Sequence, residues 1–384
     1  MRQDVRMSTS ESPEPDTDMP EERETDEHVL DVDPDQEVLA VSYDITSYGA
    51  DYPIDGLVKR LTKGDIVVPS FDPAYDESEE IQGFQRRFVW TRPQMDKFVE
   101  SLLLGLPVPG IFLVRDKTNK LLVLDGQQRL RTLHAYYRGV HNGREYQLKH
   151  VQEPFVGKTY EQLDDEDRRR LDDSIIHATI LRQEFPTGSQ DAVYSIFERL
   201  NTGGSALQPQ EIRVALYNGP FLRTISGLNE DPDWRDLYGP PSSRFKDQEL
   251  ILRVLALYEQ PEKYTRPVKG FLNDYLSNHK ERSAAETSDL ASVFQMTTDL
   301  INSNIGSRAF RPVRPLNAAV LDSVMVGVMR RVAVDGDVDG EKLKQGYNAL
   351  ISNREYLAAT TFSTAAEDSV KDRLRLATES FAST

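Results

Sequence analysis

The chain predicts an α+β protein, a compact α/β unit followed by a helical domain, on three observations. A strand, glycine turn and helix succeed one another over residues 121–139, LLVLDGQQRLRTLHAYYRG. A helix and a strand hairpin precede them. The second half of the chain is a succession of amphipathic helices with no repeat of fixed period. With 384 residues, 38% of them apolar, the chain has ample core for one large or two medium domains. Cysteine is absent, which excludes disulfides, thiolate zinc sites and a thiol nucleophile. No secretory apolar region or membrane-length apolar run is present, so a cytoplasmic protein without a membrane partner is expected.

The formal charge of −17 is concentrated at one end. Residues 1–40 carry 14 Asp and Glu against three Arg, a net of −11, leaving −6 for the remainder. That stretch is rich in proline and poor in large apolar residues, so it cannot offset its ordering entropy. We read residues 1–46 as a disordered acidic tail, a solvating segment rather than a mimic of nucleic-acid charge. The folded body has no global basic signature, so any DNA binding must use local patches.

In chain order, Leu57, Val58 and Leu61 sit at helical spacing and Gly64 ends that helix. IVVP, residues 66–69, reads as a short strand, and the acidic segment 70–83 as a surface loop. FQRRFVWT, residues 84–91, places Phe84, Phe88 and Trp90 on one side of an extended stretch, with Arg86 beside them. Alone, the two arginines there read as ordinary surface ion pairs rather than a base or phosphate contact. Thr91 or Arg92 opens a helix with Pro93 in its first turn, and Met95, Phe98, Val99, Leu102 and Leu103 form its inner face. Ile111 to Val114 is a strand, KTNK a hairpin turn, and LLVL its partner strand.

DGQQR then joins strand to helix. Such a turn leaves the first helical N–H groups and the positive end of the macrodipole free, a natural anion site. Gly126 lets a phosphate approach the backbone. Gln127 and Gln128 offer amide donors, and Arg129 a planar fork for two oxygens. Asp125 would repel phosphate unless Mg²⁺ lay between them, which suggests a nucleotide. The competing reading is that Asp125 caps the helix and Arg129 lies on a solvated face.

Beyond Gly139, HNGREYQL suggests a further strand, YEQLDDEDRRRLDDS a charged helix, and residues 175–181 a final strand whose His177 reads as an ordinary strand histidine. Residues 191–200 form a helix. Asn201, Thr202, Gly203 and Gly204 follow as a loop, either a C-cap or a place where backbone amides meet a nucleotide. A second helix opens at Pro209, and six further amphipathic segments run to the end. Ala318, Leu321, Val324, Met325 and Val328 read as core.

FQRRFVW, SLLLGLPVPGIFL, VLDGQQRLRTL, IFERLNTGGSALQPQEIR and RFKDQELILRVLALY with GFLNDYL, in that order, resemble the GmrSD restriction-endonuclease N-terminal family. It is also called domain-of-unknown-function family 262, and its core is similar to ParB and sulfiredoxin. The resemblance covers roughly residues 50–380. It implies a ParB/sulfiredoxin-like nucleotide-binding domain over residues 47–185 and an α-helical domain over 186–384. It also implies that Asp125, Gly126, Gln127, Gln128 and Arg129 bind and hydrolyse nucleoside triphosphate with Mg²⁺, with Arg86 beside them and residues 201–204 as a second wall. Family members belong to modification-dependent restriction and anti-phage systems, often with an HNH-type nuclease. No HNH-like half is legible here, so a separate nuclease chain is the expected partner on DNA. Two alternatives are a non-hydrolytic, nucleotide-gated DNA-binding module like ParB, and a nuclease in its own right.

Overall fold

A computed structural model describes residues 29–30, 44–69, 90–115, 119–185, 191–200, 207–312, 315–334 and 336–383. The first half contains strands β1 (Val29–Leu30) and β2 (Asp44–Pro53), helix α1 (Ile54–Thr62), β3 (Ile66–Val67), α2 (Arg92–Leu103), β4 (Ile111–Arg115), β5 (Leu121–Asp125) and α3 (Gln127–Arg138). The short strands β6 (Val140–His141) and β7 (Arg144–Glu145), then α4 (Asp165–Asp173) and β8 (Ile175–Phe185), complete it. Helices α5 (Asp191–Leu200), α6 (Pro209–Leu216), α7 (Pro220–Asn229), α8 (Pro232–Tyr238), α9 (Lys246–Glu259), α10 (Val268–His279) and α11 (Ser288–Asn304) follow. Strand β9 (Leu316–Asn317) precedes α12 (Ala318–Val334), α13 (Gly340–Ser352), α14 (Arg354–Thr361) and α15 (Glu367–Phe381). The protein is α+β, as the sequence predicts.

Five strands form one mixed sheet in the order β2-β8-β4-β5-β3. β2 and β8 are antiparallel, β8 and β4 parallel, β4 and β5 antiparallel, and β5 and β3 parallel. Alternation along the strands decides what each face meets. Ile111, Leu113, Leu121 and Val123 join a core with Ile54, Leu57, Met95, Val99, Leu130 and Leu133, beneath α1, α2 and α3. Val114, Leu124 and Leu181 turn the other way, into the core of the helical half with Val193, Tyr194 and Phe197 of α5. The sheet is therefore a wall shared by two hydrophobic cores. Buried on both faces, LLVL reads as an unbroken apolar run.

Met95, Phe98, Val99, Leu102 and Leu103 are all buried, as are Ala318, Leu321, Val324, Met325 and Val328. The HNGREYQL stretch supplies a small hairpin, β6 paired with β7, whose Asn142 and Gly143 take φ of 49° and 71° as a tight primed turn requires. β2 was not legible: DITSYGADYP is polar, yet it pairs along its whole length with β8 at the sheet edge. The described part of the acidic tail differs from the expectation of disorder. Val29 and Leu30 pair in parallel with Leu316 and Asn317, and β2 starts at Asp44. Short helices α7 and α8 open with Pro220 and Pro232 at their first positions. Among the described residues, no helix is long and apolar enough to cross a membrane.

Candidate functional site at the DGQQR turn

The turn lies where β5 leaves the sheet. Gly126 adopts φ 96° and ψ 11°, a left-handed conformation, and among the described residues no side chain caps the helix that begins at Gln127. The Leu130 N–H donates to the Gly126 carbonyl at 3.0 Å. The amides of Gln127, Gln128 and Arg129 thus precede the helical hydrogen-bond ladder, at the positive end of a twelve-residue helix. Buried Leu130, Thr132, Leu133 and Tyr136 seat that helix on the sheet.

Gly126 is required for a reason the sequence did not show. A Cβ there would lie 2.4 Å from Ile111 Cγ2 on the neighbouring strand. Both the positive φ and the packing of Ile111 demand glycine, before any ligand is considered.

Arg129 is held rather than splayed into solvent. Its Nη2 donates to Asp125 Oδ2 at 2.9 Å and to the Gly110 carbonyl at 3.0 Å. The Arg129 side chain is 14% exposed and that of Asp125 is 42% exposed. Asp125 caps nothing, and the two form a pair one helical turn apart. Arg129 Nε is buried and, among the described residues, has no hydrogen-bond partner; Gln128 Oε1 is in the same position. Arg131 Nη2 donates to the Pro69 carbonyl at 3.2 Å, tying the exit of β3 to the same end of the sheet. Because the guanidinium is mostly buried and also holds the Gly110 carbonyl, an arriving ligand that draws it away must replace both contacts.

The consecutive residues Asp125, Gly126, Gln127, Gln128 and Arg129 that sequence reasoning singled out make up this turn, with Gly126 buried and the other four partly exposed. That reasoning missed the Gly110 carbonyl and Ile111, because a backbone acceptor and a packing methyl carry no motif. Arg86 and Asn201, Thr202, Gly203 and Gly204 lie outside the described residues. Their flanks are defined. Trp90 packs edge-on against Phe98 with ring centroids 5.4 Å apart, and α5, which precedes residue 201, packs against β5.

A divalent cation held here would have one carboxylate, Asp125, whose Oδ1 has no partner among the described residues. No group of three or more His, Asp or Glu side chains converges among the described residues. A single carboxylate fits Mg²⁺, which keeps several waters and binds through one or two carboxylates together with phosphate oxygens.

Fold and turn together define an α+β protein whose sheet presents a helix N-terminus that no described side chain caps, flanked by an acid and a guanidinium. Residues 72–218 match the family model of the GmrSD restriction endonuclease N-terminal domain. The match includes DGQQR and LNTGGSALQPQEIR and ends before α7. No curated protein matches the chain.

Proposed function

We propose that the protein is an NTP-binding and NTP-hydrolysing subunit of a modification-dependent restriction or anti-phage defence system, acting on DNA with a separate nuclease chain. One observation carries this reading: three amides of α3 that no described side chain caps adjoin a half-exposed Asp125 and the Arg129 it pairs with. Phosphoryl transfer needs chiefly positioning and charge neutralisation. The amides of Gln127, Gln128 and Arg129 would cradle phosphate oxygens. Arg129, released from Asp125, would turn its fork to the phosphate while Asp125 takes the cation. A Mg²⁺ ion, if held by Asp125, would supply charge neutralisation for the phosphates. Asp125 would also orient the attacking water, Gln127 and Gln128 would offer amide donors, and the family resemblance implies Arg86 beside the site and residues 201–204 as its second wall.

The test is phosphate release from each of the four NTPs with Mg²⁺ by the purified protein and by Asp125→Asn. Turnover of at least one NTP by wild type, lost in the variant, is expected. Equal rates for the two proteins would overturn the assignment.

A second reading, a nucleotide-gated DNA-binding module without turnover, is favoured by the engagement of Asp125 Oδ2 with Arg129, which competes with a role as base or cation ligand. It predicts NTP affinity without phosphate release, and DNA binding with a steep salt dependence.

A further inference from the structure

The same end of the sheet carries a second constructed group. His177 Nδ1 lies 2.9 Å from Asp51 Oδ1, bridging β8 and the edge strand β2. An ionised carboxylate only accepts, so Nδ1 carries the proton, and in the neutral ring Nε2 presents its lone pair. Nε2 has no hydrogen-bond partner among the described residues, and the side chains are 60% and 68% exposed. The ring lies flat on Gly49, where a Cβ would fall 2.8 Å from Cε1. A strand histidine with no role beyond its strand needs neither an orienting acid nor a glycine floor.

Register places this dyad beside the turn. Asp51 is opposite His177, Ala178 opposite Ile111, and Phe112 opposite Asp125. Gly110 links the two groups: its carbonyl accepts from Arg129, and a Cβ on it would lie 2.7 Å from the His177 carbonyl. β8 is two strands from β5, roughly 10 Å. Ile176 and Ala178 face the core beneath α3, so His177 points to the opposite face. A ligand with its phosphates at the N-terminus of α3 would reach His177 by passing over the end of β4 at Gly110 to the opposite face of the sheet.

We propose that the Asp51–His177 dyad binds the nucleoside part of the triphosphate, with Nε2 accepting a hydrogen bond from a ribose hydroxyl. This rests on the NTP-binding reading above and assigns the site its preference for ribonucleotides.

Isothermal titration with Mg²⁺ tests it, using the ribonucleoside triphosphate wild type binds most tightly, its 2′-deoxy and 3′-deoxy forms, and inorganic tripolyphosphate. His177→Ala should weaken the ribonucleotide about tenfold, as expected for loss of one hydrogen bond, and leave tripolyphosphate affinity unchanged. Wild type should bind one of the deoxy forms more weakly by a similar factor, and His177→Ala should no longer distinguish it. Asp51→Asn should move affinity in the same direction as His177→Ala. Unchanged ribonucleotide affinity in His177→Ala, an equal loss for tripolyphosphate, or lower turnover at unchanged affinity would each overturn the dyad's role while leaving the triphosphate site standing. A wild-type protein that binds no NTP would overturn both.

Discussion

Arg129 and Arg213 each pair with a carboxylate inside a motif that marks the family resemblance, and they are used in opposite ways. Arg213 on α6 is 1% exposed. Its Nε donates to Asn273, its Nη1 to Gln210 and Glu249, and its Nη2 to the Lys269 carbonyl. Every nitrogen is engaged, so the group fixes α6 against α9 and α10 and has nothing left for a ligand. Arg129 engages one nitrogen, keeps a buried Nε without a partner among the described residues, and stands beside helical amides that no described side chain caps. Saturation separates a structural cation from a recruitable one: the same residue type is cement where its donors are spent and a site where they are not.

The comparison can be broken at several points. Arg213→Met removes the donors that Glu249 Oε2 and Asn273 Oδ1 accept in the interior, while Lys246 still holds Glu249 Oε1, and removing one partner of a buried pair costs about 3–5 kcal/mol. Denaturant unfolding should show a loss of that size; a loss below about 1 kcal/mol would mean the network is not structural. Gly126→Ala forces a left-handed residue against Ile111 and should cost about 2–4 kcal/mol, from the strained backbone and overpacking together. Full stability in that variant would show that β4 yields easily and that Ile111 does not dictate the glycine. The smallest effect is expected at the N-cap of α4. Asp164 accepts the Asp167 N–H at 2.9 Å, which holds its carboxyl below the ordinary value of 3.8. A lowered native pKa contributes stability above the unfolded value, and that contribution is lost as pH falls through the lowered one. Asp164→Ala should therefore be slightly less stable than wild type at neutral pH, with the gap closing in strong acid. A gap that persists at about pH 2 would remove charge from the explanation.

What could be read from the sequence follows the same division. β5, α2, α3 and α12 were legible because apolar spacing reports burial directly, and the turn was legible because strand, glycine and helix are local signals. β2 was not, since its outward residues Gly49 and Asp51 and its edge position leave little apolar alternation. The pairing of Val29–Leu30 with Leu316–Asn317 joins distant segments and carries no local signal. Gln210, Glu211 and Arg213 are polar yet buried; only the surrounding helices decide that. His177 alternates correctly as a strand residue, and nothing in the sequence pairs it with Asp51.

The most direct measurement is isothermal titration of Mg²⁺–NTP into wild type and Arg129→Ala, with unfolding of both followed in parallel. A charge-assisted contact contributes about 1.5–3 kcal/mol, so the variant should bind about ten- to a hundredfold more weakly while losing less than about 1 kcal/mol of stability. Equal nucleotide affinity in the two proteins would contradict the assignment of the triphosphate to the DGQQR turn.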